Sequence, residues 1–180
     1  MEMGAPAEEV DGVTPPLTPE RLCADYATRV YRFAAMVAKG DVEAEDLAQE
    51  ALVRAIQRIT QFDPGRGDLD GWLWRIVVNA ARDAGRISAR RLALLERLRS
   101  TPSQADAVET LALKRLSDRE LLDAVRQLPK RERAVIALRY GADLDYSSVG
   151  RLLGLSVGAA TMATHRALAK LRIQLEAEKQ

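Results

Sequence analysis

Apolar residues in this chain return every three or four positions, segment after segment, and nowhere alternate one by one. That period suits helices with one buried face and leaves no candidate strand, so the fold class is all-α. Leu22, Tyr26, Val30, Phe33 and Val37 form the first such face. Thr18-Pro19 starts it, a cap followed by proline at the first helical position, and Gly40 ends it. Asp41 is placed to cap a second helix, whose apolar side is Ala48, Leu52, Ala55 and Ile59. Glu43, Glu45, Asp46 and Glu50 crowd its first turns, where the positive end of the helix dipole favours carboxylates.

Phe62 to Gly71 (FDPGRGDLDG) is turn chemistry, Asp-Pro-Gly followed by more glycine. A third helix runs from about Asp70 into the upper eighties or nineties, with Leu73, Ile76, Val77, Ala80, Ala84 and Ile87 as its core face. It turns basic from Arg82: Arg82, Arg86, Arg90, Arg91, Arg97 and Arg99 stand against only Asp83 and Glu96. The period lapses over Ser100–Ala107 and returns near Ser117, where Ser117 and Glu120 fit a reciprocal capping box. Leu121, Leu122, Val125 and Leu128 give the next apolar face, and Pro129 closes it. Arg131–Tyr140 is a helix ended by Gly141; Asp145–Leu153 is another; Gly154 makes a turn and Ser156 caps the last helix. The expected organisation is two small helical domains joined by a flexible linker. An acidic tail covers 1–17, a first domain 18–99, the linker 100–116, a helix-turn-helix domain 117–175 and a closing tail 176–180.

Composition excludes more than it proposes. With 47% hydrophobic and 29% charged residues, a packed core is available to the 180-residue chain. A net charge of +1 gives no global case for nucleic acid, so any such case rests on where charges sit. Glu2, Glu8, Glu9 and Asp11, without a basic partner, mark the first 17 residues as a flexible acidic tail. Cys23 is the only cysteine, which rules out an intramolecular disulfide and a cysteine metal cluster. His165 is the only histidine, and no phosphate loop or nucleophile elbow occurs. No enzyme, cofactor or metal is implied. Without a long apolar run or a secretion signal, no membrane insertion is expected and the default location is cytoplasmic.

Three segments carry function. Asp46 and Glu50, four apart, put two carboxylates on one helix face beside Leu47 and Gln49. Acid around an apolar knob suits a basic partner helix, although a solvated helix with favourable N-terminal acids would read the same. On the third helix the outward set is Trp74, Arg75, Asn79, Arg82 and Arg86. Aromatic surface stacks unpaired bases while guanidinium groups meet phosphates, and Asn79 can pair with a base edge. Trp72 or Trp74 belongs to the core, since both cannot point the same way. Finally, a short helix, a glycine turn and a capped helix make a helix-turn-helix.

The run from Leu128-Pro129 through RERAVIALRYG, LDYSSVGRLLGLSVG and HRALAKLR resembles the DNA-binding C-terminal domain of bacterial sigma-70 family sigma factors, specifically the extracytoplasmic-function group. DVEAEDLAQEALVRAI (41–56) is similar to that family's acidic helix, which docks on the polymerase β′ subunit. FDPGRGDLDGWLWRIVVNAARDAGR (62–86) is similar to its promoter-melting segment. The resemblance implies a transcription initiation factor for core RNA polymerase, through its β′ and β subunits, and for promoter DNA, with an anti-sigma factor as a further partner. It implies polymerase contacts at Asp46, Leu47, Gln49 and Glu50. DNA contacts would come from Arg66, Trp74, Arg75, Asn79, Arg82, Arg86, Arg151, Ser156, Thr161, Met162, His165 and Arg166. The alternatives are a stand-alone helix-turn-helix regulator, or a sigma-like protein with degenerate upstream recognition that acts through protein partners.

The last helix departs from the family. Where Thr-Val-Lys-Ser-Arg-Leu is common, this chain has Ala159-Ala160-Thr161-Met162-Ala163-Thr164, so two basic positions are lost. Ser148 and Gly150 stand where Glu and Ala are usual, and mid-helix Gly150 should cost about 0.5–1 kcal/mol relative to Ala. With Ala160, Thr164, Ala167 and Leu171 inward, the outer face keeps apolar and hydroxyl contacts for base edges but lacks most of the cationic share that dominates affinity. Arg131, Arg133, Arg139 and Arg151 on neighbouring helices are candidates to supply part of it. Thr161→Lys is therefore expected to tighten binding to upstream promoter DNA and steepen its salt dependence, as read by a salt titration. Unchanged affinity and slope would mean that Thr161 faces no phosphate.

Overall fold

The computed structural model describes residues 17–98 and 113–177, and side chains there except over 91–98 and 113–117. Most of the acidic tail, the linker up to residue 112, the side chains of Arg91 and Arg97, and Arg99 lie outside the described residues. Seven α-helices occur among the described residues: α1 (Pro19–Val37), α2 (Asp41–Gln57), α3 (Leu69–Leu98), α4 (Leu113–Gln127), α5 (Lys130–Ile136), α6 (Tyr146–Leu153) and α7 (Val157–Ala177). Two short 3₁₀ turns separate α2 from α3, and a π-helical turn, Ala137–Gly141, continues α5. No strand occurs among these residues.

The first half is a three-helix packing in which α1 and α3 each lie against α2. Thr18 caps α1 by accepting from the Arg21 amide, and Leu22, Tyr26, Val30 and Phe33 are buried at the expected spacing. Small residues, Ala44, Ala48, Ala51 and Ala55, let α2 approach its neighbours closely. In the second half α7 packs on α4, α5 and α6. Ala160, Thr164, Ala167 and Leu171 form its inner face, joined by Ala163. Buried Thr164 satisfies its hydroxyl by donating to the Ala160 carbonyl.

The halves share one apolar core. Leu138, Ala142, Leu144 and Val149 belong to the same buried cluster as Leu22, Phe33 and Val77. The π turn lies on α1, where a Cβ at Gly141 would stand 3.1 Å from the Phe33 nitrogen and Cα. Helix packing this tight requires glycine.

Several expectations are corrected. Gly40, not Asp41, occupies the cap of α2; Asp41 is its first residue, and its carboxylate pairs with Arg126 instead. Helix α4 is described from Leu113, so Ser117 lies inside it rather than at its start; Leu113, Lys114, Arg115 and Leu116 are all good helix formers. Leu121 is exposed. Ala84 and Ile87 are exposed as well, because α3 runs on past the helices that cover its inner face as far as Ala80.

Gly150 also reads differently in three dimensions. It is buried, and an added Cβ would meet the Leu155 carbonyl oxygen at 2.7 Å, while the Leu155 amide bonds back to the Gly150 carbonyl. The glycine lets the turn fold onto α6, and its poor helix propensity is the lesser effect. Gly150→Ala should therefore destabilise the protein by about 1–3 kcal/mol, the usual cost of overpacking, and lower the thermal midpoint. A raised midpoint would show that helix propensity dominates.

Candidate nucleic-acid interface

A cleft of about 830 Å³ opens between the polar face of α3, the Phe62–Gly71 loop and α6. Arg66, Arg75, Arg82 and Arg151 all line it, with Asn79 among them. Local chemistry fixes the loop: the Asp63 carboxylate accepts from the Gly65 amide and the Asp68 carboxylate from the Gly71 amide. The Asx turn at Asp63 leaves Arg66 exposed, and the Asp68 bond caps α3, which starts at Leu69.

The two tryptophans divide as they must. Trp74 is fully buried, edge-on to Phe33 with ring centroids 5.7 Å apart, so it is not the outward aromatic expected from the sequence. Leu73 and Val77 share that inner face, which leaves Arg75, Asn79 and Arg82 on the outer one. Trp72 is the partly exposed aromatic, tilted against Phe62 at 5.6 Å, and both rings line the cleft. Spacing alone did not single out this pair; an aromatic at the loop's start and another just inside the helix was the available signal.

Electrostatics along α3 are arranged in pairs. Arg54 on α2 bridges Glu50 at 2.6 Å and Asp83 at 2.8 Å, and Asp83 also pairs with Arg86. The hydrogen bond from Arg54 holds the Asp83 carboxyl below its ordinary range. Arg82 donates to Asn79 and to the Leu152 carbonyl.

On the acidic helix, Asp46, Gln49 and Glu50 are exposed together, but Leu47 is only 7% exposed and belongs to the core. It cannot act as a surface knob, because it is buried in one apolar cluster with Ala44, Ala48 and Ala51.

The helix-turn-helix has the caps its sequence suggests. Asp145 caps α6 by accepting from the Ser148 amide, which holds its carboxyl below the ordinary range. Gly154 takes the left-handed conformation at φ 68°, and Ser156 caps α7 through the Ala159 amide. The Ser156 hydroxyl is thus engaged in capping. On the outer face of α7, Met162, His165 and Arg166 are exposed; Thr161 is half-buried and donates to the Val157 carbonyl. Arg151 is exposed and donates to Ser148. Of the neighbouring arginines, Arg131 is exposed, Arg139 stacks on Tyr140 and Tyr146, and Arg133 is turned inward to the Arg126 carbonyl.

Fold and cleft together define a helical protein with a groove lined by four arginines and by Asp63, Asp68 and Asp70, edged by aromatic rings, and a capped helix-turn-helix. Sequence comparison agrees. The family described as Sigma-70 region 2 matches residues 22–91, and that described as Sigma-70, region 4 matches residues 118–171. RNA polymerase sigma factor CarQ of Myxococcus xanthus is 34% identical, over 85% of this chain and 86% of its own. ECF RNA polymerase sigma factor SigW of Bacillus subtilis is 31% identical, over 83% and 84%. ECF RNA polymerase sigma factor SigE of Mycolicibacterium smegmatis is also 31% identical over 85% of this chain, which spans 60% of that longer protein. Among solved structures, sigma factor RpoE in complex with the anti-sigma factor NepR from Bartonella quintana shares the fold. Its TM-score is 0.70 at 20% identity, covering 87% of this chain and 96% of that one. CnrH in complex with the cytosolic domain of CnrY gives 0.60 at 25% identity, with 88% of each chain covered. The chain belongs to the extracytoplasmic-function group of sigma-70 family RNA polymerase sigma factors, which are promoter-specific transcription initiation factors.

The two tryptophans make a test. Trp74→Ala should cost about 3–5 kcal/mol of stability in denaturant unfolding. Trp72→Ala should leave the unfolding midpoint nearly unchanged while weakening single-stranded DNA binding by about 1–3 kcal/mol. Equal stability losses would contradict the division.

Proposed function

We propose that α3 and the Phe62–Gly71 loop hold the unpaired non-template strand of the minus-ten element in the cleft. The convergence of Arg66, Arg75 and Arg82 with Asn79 and the Phe62–Trp72 pair supports this reading. Phosphates would lie along the guanidinium groups, a base would stack on the aromatic pair, and Asn79 would pair with a base edge. Arg86 and the basic continuation of α3 would follow the duplex upstream.

Asp46, Gln49 and Glu50 form the docking face for the polymerase β′ subunit, with charge steering the encounter. Leu47 shapes that face from below. The outer face of α7, with Met162, His165 and Arg166, and Arg151 from α6, engages the minus-thirty-five duplex. This upstream contact is weaker than that of a more basic helix. The chain contributes no catalytic residue; bond formation belongs to the polymerase. It acts in the cytoplasm, as promoter DNA requires; no described helix is long and apolar enough to cross a membrane. An anti-sigma factor is a further partner, by analogy with the complexes of RpoE and CnrH.

Reconstitution with sigma-free core polymerase on genomic DNA tests the whole reading. Discrete transcript starts are expected; core binding without transcripts favours a degenerate factor, and no core binding overturns both. Within an active complex, Arg75→Ala should weaken promoter binding and lower its salt slope by about 0.7–0.9, the share of one phosphate contact. An unchanged slope would remove Arg75 from the phosphate path.

A further inference from the structure

We infer that the seam between α2 and α3 is a second anion site, adjoining the cleft. It takes a phosphate group among the guanidiniums of Arg54, Arg58, Arg82 and Arg86, displacing the Asp83 carboxylate that holds the place. The phosphates of a nucleic-acid backbone and of a free oligophosphate share this chemistry. The backbone case rests on the function proposed above; the site itself does not.

A concavity of about 370 Å³ opens where the end of α2 meets the middle of α3. Four guanidiniums line it against one carboxylate, Asp83. Ile76, only 7% exposed, adds apolar surface to the lining, beside which charge-assisted hydrogen bonds gain strength. Asp83 already shows how an anion is held there: one oxygen accepts from Arg54 at 2.8 Å and the other from Arg86. Two guanidiniums on one small oxyanion is an arrangement that suits phosphate, and arginine's planar fork matches it better than an ammonium does. Arg58, the cap at the end of α2, is exposed and enters no ion pair among the described residues. Arg82 reaches only neutral acceptors, the Asn79 side chain and the Leu152 carbonyl. Joining α2 to α3 needs the Arg54–Asp83 pair and no more. Cations gathered beyond that need repel one another, and an anion relieves the repulsion.

Asn79 and Arg82 line both this concavity and the cleft, so the two are continuous along α3. A backbone leaving the cleft would meet Arg86 and Arg58 next. A free oligophosphate would sit at the same junction and draw Arg82 away from the strand. Asp83 sets the threshold in both cases. A lone small anion such as chloride competes poorly with a carboxylate tethered beside its partners, because the tether gives that carboxylate a high effective concentration. Phosphates linked to one another gain the same advantage, since the first to bind holds the next in place.

The test titrates the full chain with inorganic pyrophosphate by calorimetry and, separately, with a fluorescent oligothymidylate over a series of salt concentrations. Arg58→Ala removes an exposed side chain without an ion pair and should leave the thermal midpoint unchanged. It is expected to weaken pyrophosphate binding at least fivefold and to lower the oligothymidylate salt slope by about 0.7, one single-strand phosphate contact. Weaker pyrophosphate binding with an unchanged slope assigns the site to free oligophosphates. A lower slope without Arg58-dependent pyrophosphate binding assigns it to the backbone, and neither change overturns the site. Asp83→Asn keeps the shape and removes the charge, so it should tighten whichever ligand binds at least threefold. Equal or weaker binding would overturn displacement of Asp83. Arg75→Ala, on the proposed strand path but outside the seam, is the comparison. If it leaves the oligothymidylate slope unchanged, that path falls, while the pyrophosphate titration still decides the site.

Discussion

The Arg29 guanidinium is the interaction on which most else depends. It accepts nothing and donates to two partners: Asp70 at the start of α3, at 3.1 Å, and the Ala142 carbonyl from the second half. Its flat face covers the rings of Tyr26 and Trp74, 5.3 and 5.6 Å from their centroids. Tyr26 donates to the same Asp70 at 2.5 Å, and burial beside that carboxylate raises the tyrosine hydroxyl well above its ordinary range. One side chain thus ties the first turn of α3 to α1, lies against the inner tryptophan and meets the second half.

That arrangement explains what could be read in the sequence and what could not. The inner faces of α1 and α7 followed from spacing, because each packs along most of its length and the three-to-four rhythm reports that directly. Trp72 and Trp74 lie two apart, which puts them on different sides of α3 without saying which side is covered. The decision came from Phe33 and Arg29, far away in the chain. Ile87 continued the apolar rhythm of α3 but outlasted its covering helices, whose extent no local pattern records. Leu47 misled for the opposite reason: its neighbours Asp46 and Gln49 are exposed, yet the helix turns between them. Gly150 was legible as a weak helix former; the carbonyl of Leu155 above it was not. On the candidate interface, arginines were easy to pick, but their partners were not. Arg82 meets another half of the molecule, and Arg133 turns inward.

The acidic face of α2 and the basic face of α3 are mechanically tied. Arg54 joins Glu50 to Asp83, so the carboxylate proposed for polymerase docking and the helix proposed for strand binding share one ion-pair chain. Exposed pairs of this kind add little stability. Their value here is geometric, since they restrict the rotamers of groups that meet different partners. A polymerase contact that recruits Glu50 would release Arg54 toward Asp83 and alter the charge seen by Arg86.

The overhang of α3 has a consequence for how the two halves find each other. From Ala81 to Leu98 the helix continues for about 26 Å at 1.5 Å per residue, so the chain leaves the first half at the end of a stiff arm. The second half is nevertheless seated back on α1. The tether between Leu98 and Leu113 makes that return an intramolecular event, with an effective concentration in the millimolar range for short linkers. Contacts too weak to hold two separate proteins together suffice when one end of the pair cannot diffuse away. Changing the length of the arm or the tether would retune that balance without touching a single residue at either surface.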